Sequence, residues 1–131
     1  MKKIGIINQP ISAVVASLGH TDTLVIADAG LPIPLDVQRI DLALKPGMPA
    51  FLETVESVLT EMQVESAILA QEMVDENPDV YKALREMLGE TPIETVPHQR
   101  FKEHTRSARA VVRTGEFTPY ANVILVAGVV F

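Results

Sequence analysis

Three histidines, His20, His98 and His104, are the side chains of this sequence that change charge nearest neutral pH, so they are its first candidates for proton transfer. His20 follows Gly19 at a predicted helix end, a place that equally suits a donor satisfying the last helical carbonyls. Asp28 stands directly after an apolar run. It serves there either as a ligand-facing carboxylate or as an Asx turn holding Ala29 and Gly30. His98 follows a predicted strand and Pro97, as a site residue or as an exposed loop histidine. His104 lies in a basic segment and reads as surface. Tyr120 and Asn122 are two residues apart on a segment that reads as extended, so they point to one side. A phenol and an amide so placed can hydrogen-bond sugar hydroxyls, or simply face water in a turn.

Other chemistries are excluded or unsupported. There is no Cys among the 131 residues, which removes disulfides, thiolate zinc sites and thiol nucleophiles. His20, Asp28 and His98 are possible ligand types, but their spacing matches no zinc pattern, so no metal is expected. No Walker loop, GxGxxG or GxSxG occurs. Seventeen acids against 11 bases give a net charge of -6, which argues against nucleic acid and anionic membrane as partners. The length fits a single domain, 1–131.

The composition is 47% hydrophobic but only 5% aromatic, so the core must come from Val, Ile, Leu and Ala. Such an apolar chain needs a sheet covered on both faces, or subunit contacts. No run approaches the roughly 18 apolar residues of a membrane span. The longest, Val123 to Phe131, has nine. Met1-Lys2-Lys3 lacks the apolar stretch and cleavage site of a signal peptide, and the cytoplasm is the expected compartment.

These candidates need elements to position them. Asn8-Gln9-Pro10 opens a helix whose Ile11, Val14, Val15 and Leu18 share one face, with Gly19 as its C-terminal cap. Thr23 to Ala27 is a buried strand, and the alternation of Ile40, Leu42 and Leu44 suggests a second. Phe51 to Met62 holds helical spacing. Ser66 to Ala70 is a strand, and Asn77-Pro78 is an N-cap with Pro at the first helical position. Ile93 to Val96 is a strand, Phe101 to Ser107 a helix, and Ala110 to Val112 and Val123 to Phe131 are closing strands. This alternation predicts a three-layer α/β/α sandwich with a mixed, mainly parallel sheet. Charge is divided: from Glu53 to Glu94 there are 11 acids and two bases, and from Arg100 to Arg113 five bases and one acid.

In an open α/β sheet, ligands bind beyond the carboxyl ends of the strands. Asp28 and His98 both fall at such ends. His20, however, enters the strand that Asp28 leaves, so the two should lie far apart in one subunit. A site using both requires two chains or a kinked strand.

Gly19-His20-Thr21-Asp22, followed by Ile26-Ala27-Asp28-Ala29-Gly30-Leu31-Pro32, resembles the N-terminal signature of the D-ribose pyranase family, to which L-fucose mutarotase is a sister group. Leu44-Lys45-Pro46-Gly47 and the stretch from Arg113 to Asn122 (RTGEFTPYAN) resemble the same family. The resemblance implies an isomerase that interconverts the β-pyranose and β-furanose forms of D-ribose without cofactor or metal. It implies rings of subunits, as a decamer of two pentamers, with the site at subunit contacts. The family's catalytic histidine falls on His20, and its substrate-binding residues fall on Asp28, His98, Tyr120, Ala121 and Asn122. Asp-Ala-Gly-Leu-Pro is the ribose-like form of the signature, which favours ribose over fucose. Alternatives with the same residues are a mutarotase for another sugar such as L-fucose, a sugar-binding or regulatory protein without catalysis, or a ring-forming adaptor.

Overall fold

The computed structural model describes residues 1–131. Its centre is β1 (Thr23–Ala27), whose sequence TLVIA is apolar after the first residue, as a strand covered on both faces requires. Leu24 and Ile26 enter one hydrophobic cluster, and Val25 and Ala27 enter a second on the opposite face. Five further strands complete the sheet: β2 (Gln38–Asp41), β3 (Val64–Ala70), β4 (Ile93–Val96), β5 (Ala110–Arg113) and β6 (Val123–Ala127). Their spatial order is β2-β5-β1-β6-β3-β4. All are parallel except β6, which runs antiparallel between β1 and β3.

The two faces are covered unequally. The larger cluster holds Ile11 and Val14 of α1 (Gln9–Ser17), Phe51, Val55 and Val58 of α2 (Phe51–Leu59), Met73 of α3 (Gln71–Glu76), and Leu84 and Leu88 of α4 (Pro78–Leu88). The smaller cluster is closed by Phe101 of α5 (His98–His104) and by Leu31 and Val37 from the loop before β2. The predicted α/β/α layering and the mainly parallel sheet are observed.

Several boundaries differ from expectation, each for a local reason. Asn8 caps α1, its Oδ1 accepting the Ile11 N–H at 3.0 Å, but Gly19 is not the C-cap; Leu18 is, with extended backbone. The expected strand through Leu44 stops at Asp41, because the Asp41 carboxylate accepts the Ala43 N–H and pairs with Arg113. α2 ends at Leu59, although Met62 remains buried. Asn77 makes no side-chain cap for α4; its amide donates instead to Thr118 Oγ1 and the Pro119 carbonyl. α5 begins at His98, three residues earlier than expected, and a 3₁₀ turn over Thr105–Ser107 follows it. β6 ends at Ala127, leaving Val129, Val130 and Phe131 exposed. α3 has too few apolar residues to show a period, and sequence patterning missed it. No helix is long and apolar enough to cross a membrane.

Candidate functional site

The connection from β5 to β6, residues 114–122, must cross the carboxyl end of β1, because β1 lies between those two strands. That crossing builds the site. Thr114 donates from both its N–H and its Oγ1 to the Ala27 carbonyl, at 2.9 and 2.7 Å. Gly115 passes so close to Met48 that a Cβ there would collide with the Met48 backbone. The Glu116 carbonyl accepts the Ala29 N–H at 2.9 Å. The loop thus closes over Asp28 and delivers Tyr120 to Asn122 beside it.

Asp28 and Asn122 are locked together. The Asp28 N–H donates to Asn122 Oδ1 at 2.8 Å, and Asn122 Nδ2 donates to Asp28 Oδ2 at 2.9 Å. Asp28 Oδ1 accepts the N–H groups of Gly30 and Leu31, so the expected Asx turn exists as well. One carboxylate does both jobs: Oδ1 holds the turn, and Oδ2 keeps a free lone pair for a ligand. Asn122 is fully buried and Ala121 packs in the larger cluster, so Ala121 presents only its backbone. The segment is bent rather than extended. Tyr120 has φ +58°, and its carbonyl accepts the Asn122 N–H at 2.9 Å. Tyr120 and Asn122 therefore do not alternate along a strand as their spacing suggested.

His98 is the first residue of α5 and not an exposed loop histidine. Its ring meets Tyr120 edge-on, with centroids 5.0 Å apart, and its N–H donates to Glu72 Oε2 at 2.8 Å. Its Nδ1 is shielded from solvent and has no hydrogen-bond partner in the protein. Burial holds this imidazole below its ordinary value of 6.5, with Lys102 acting in the same direction, while Glu72 and Asp28 pull it back. The depressed value means that the unfolded chain takes up a proton at a pH where folded His98 stays neutral. Stability is therefore expected to be full above about 6.5 and to fall as pH drops from there toward the folded value. Urea midpoints measured across that window should slope with pH, and His98→Gln should flatten the slope; an unchanged slope would contradict the burial argument.

His20 lies at the opposite edge. β1 runs unbroken from Thr23 to Ala27, about 13 Å at the rise of a strand, and separates His20 from Asp28. The imidazole is 57% exposed, and its Nε2 is 2.8 Å from Glu65 Oε2. It does not cap α1. Asp28, His98, Tyr120, Ala121 and Asn122 are thus brought together, and His20 is not with them in one subunit. His104 is half-buried at the end of α5, away from the cluster.

A cleft of about 380 Å³ lies against Asp28, Arg113 and Glu116. Two larger depressions of about 440 Å³ lie elsewhere, one between residues 5–8 and α2, the other between the loop at 32–36 and α5. Volume favours those two, but of the three the cleft alone is lined by a residue of the cluster, Asp28. No three His, Asp or Glu side chains converge as metal ligands would.

Sequence patterning missed Glu72, Glu116 and Asn77, which shape the site from a distance. Glu116 supplies the cap that Ala50 cannot, accepting the Phe51 N–H of α2 at 3.1 Å and the Thr118 N–H and Oγ1. Burial alone would raise its carboxyl, but the hydrogen bonds from Phe51, Thr118 and Phe117 outweigh that and hold it below 4.5. Glu116→Ala is expected to cost about 1–3 kcal/mol. Denaturant unfolding at fixed protein concentration checks this, and a loss near zero would mean that the cap is idle.

Comparison with known proteins agrees with this architecture. A sequence model described as the RbsD / FucU transport protein family matches residues 1–130. The chain is 61% identical over the full length of both chains to D-ribose pyranase of Laribacter hongkongensis. It is 53% identical to D-ribose pyranase of Geobacillus kaustophilus, covering all of this chain and 96% of that one. The structure of Bacillus subtilis RbsD complexed with D-ribose is similar with a TM-score of 0.97 at 53% identity, both chains fully covered. The fucose mutarotase of Streptococcus pneumoniae in complex with L-fucose is similar with a TM-score of 0.82 at 27% identity, again over both full chains. With the family match spanning nearly every residue and curated relatives at 53–61% identity over the whole chain, this chain belongs to the RbsD / FucU family.

Proposed function

We propose that this protein is a D-ribose pyranase, an isomerase that opens and recloses the ring of D-ribose between its pyranose and furanose forms. The observation that carries the reading is full-length similarity, 61% identity to a D-ribose pyranase and 53% to a ribose-bound protein, in a chain whose Asp28–Asn122 pair stands at the carboxyl end of β1. The weaker similarity to the fucose enzyme favours ribose as the substrate.

Opening a hemiacetal breaks the bond between C1 and the ring oxygen. The ring oxygen gains a proton and the anomeric hydroxyl loses one, giving the aldehyde. Attack of a different hydroxyl on C1 then recloses the ring, and that hydroxyl returns a proton to O1. Protons and electron pairs balance, so the chemistry needs only a positioned donor and acceptor of near-neutral pKa. His20 is the proton-transfer group in this reading. Asp28 and His98 orient hydroxyls and share the proton traffic, while Tyr120, Asn122 and the backbone of Ala121 hold the sugar.

His20 and Asp28 occupy opposite edges of β1, so the site takes His20 from a neighbouring subunit. Exposed Ile4, Ile7, Leu44, Phe117, Val130 and Phe131 supply apolar surface for such contacts. The assembly is a decamer of two pentameric rings, each subunit one domain over 1–131, working in the cytoplasm. Sedimentation should give about ten times the subunit mass of 14.3 kDa. Saturation-transfer NMR on ribose, with fucose as comparator, tests the activity. Exchange of magnetisation between pyranose and furanose signals is expected, and binding without exchange would leave only a sugar-binding protein.

A further inference from the structure

We propose that Glu65 is a positioning residue for His20: its carboxylate holds the Nε2 proton, fixes the tautomer, and leaves Nδ1 as the nitrogen that exchanges protons with the sugar. The inference rests on the reading of His20 as the proton-transfer group. Glu65 Oε2 lies 2.8 Å from His20 Nε2. An ionised carboxylate only accepts, so the nitrogen facing it carries the hydrogen. The lone pair of the neutral ring then sits on Nδ1. Without that partner both tautomers are populated, and only a fraction of rings present the right nitrogen.

Three local irregularities converge on this pair. The register of β3 against β6 shifts between Val64, opposite Ala127, and Ser66, opposite Val126, which makes Glu65 the extra residue of a bulge. A bulge re-aims a side chain that a regular strand would send elsewhere. Beside it, a Cβ on Gly128 would come within 3.0 Å of the Glu65 Cβ, so glycine there makes room for the glutamate. Thr21, the residue after His20, has φ +69°, a left-handed conformation that a β-branched residue rarely adopts. That strain is held by the Thr21 N–H donating to the Ala127 carbonyl at 2.9 Å. It is held also by Asp22, which accepts the Gly19 N–H at 2.8 Å and pairs with Arg109 at 3.0 Å.

The same end of β6 anchors both partners, because Gly128 N–H donates to the Gln63 carbonyl at 2.9 Å. Stability does not explain this apparatus, since ion pairs as exposed as 57% and 40% contribute little. Strain and a bulge held at such a place point to function.

The test uses the full-length, assembled protein labelled with ¹⁵N-histidine. Imidazole ¹⁵N shifts of neutral His20 should report the hydrogen on Nε2 in the wild type and a mixture in Glu65→Ala. Glu65→Gln keeps a carbonyl acceptor and should keep the tautomer. In ribose exchange, Glu65→Ala should lower kcat about 10–100-fold with KM within about twofold, and Glu65→Gln should recover most of it. In a His20→Ala background, Glu65→Ala should add no further loss. The proposal fails if the wild-type ring carries its hydrogen on Nδ1, if Glu65→Ala keeps wild-type kcat, or if the two losses multiply. Should Glu65→Ala not assemble, the wild-type tautomer and Glu65→Gln decide. A wild-type chain that does not exchange ribose forms would overturn the function proposed above, while its tautomer would still decide the role of Glu65.

Discussion

His20→Ala is expected to fold, assemble and bind ribose normally, yet to lose exchange between pyranose and furanose by about 10²–10⁴-fold, the usual worth of one positioned acid–base group. Within its own subunit the ring is mostly exposed, and its side-chain hydrogen bond there is to Glu65. Removing it leaves no cavity and no buried unsatisfied group, so stability should change by less than about 1 kcal/mol. Saturation-transfer NMR with ribose in excess measures the exchange, and a ribose titration measures the binding. Retained binding with lost exchange separates proton transfer from recognition. Full exchange in the variant would remove His20 from the mechanism and shift the acid–base work to His98 and Asp28.

The second large effect is a rescue. Assemblies of His20→Ala subunits and assemblies of His98→Ala subunits should each be inactive. Co-expressed in equal amounts, the two chains should regain about one quarter of wild-type activity, because a random assembly pairs an intact His20 with an intact His98 at that frequency. The argument is geometric. β1 holds His20 and Asp28 at opposite edges of the sheet, and the cluster of Asp28, His98, Tyr120 and Asn122 lies at one edge only. Separate affinity tags on the two chains verify that mixed assemblies form. Mixed assemblies without recovered activity would mean that each site draws both histidines from one chain, against the geometry of β1.

The residues that were legible beforehand share a physical feature: their signal is local. Thr23–Ala27 is apolar after its first residue because it is covered on two faces, and its boundaries follow directly. Asn8 caps α1 through a bond to a residue three positions away. The misjudged residues answer to distant partners. Val123 to Phe131 is uniformly apolar, yet only Val123 to Ala127 lie between strands, and the chain leaves the sheet where its antiparallel neighbour β3 begins. Ile40, Leu42 and Leu44 alternate correctly, but Asp41 turns the chain because Arg113, far along the sequence, awaits its carboxylate. Asn77 has the sequence context of a cap and spends its amide on Thr118 and Pro119.

The amino-acid sequence by itself determined the layered α/β class, the absence of thiol chemistry, and the family signature that singles out His20, Asp28, His98 and residues 120–122. These follow from periodicity, composition and short motifs, which need no knowledge of what lies across the sheet. The tertiary structure alone decided that β6 runs against its neighbours, that its incoming loop carries Tyr120 and Asn122 over the end of β1, and that Glu65 meets His20 at the other end. Those are contacts between residues 45 to 103 positions apart, and their geometry is set by packing and register, for which single-chain spacing carries no signal.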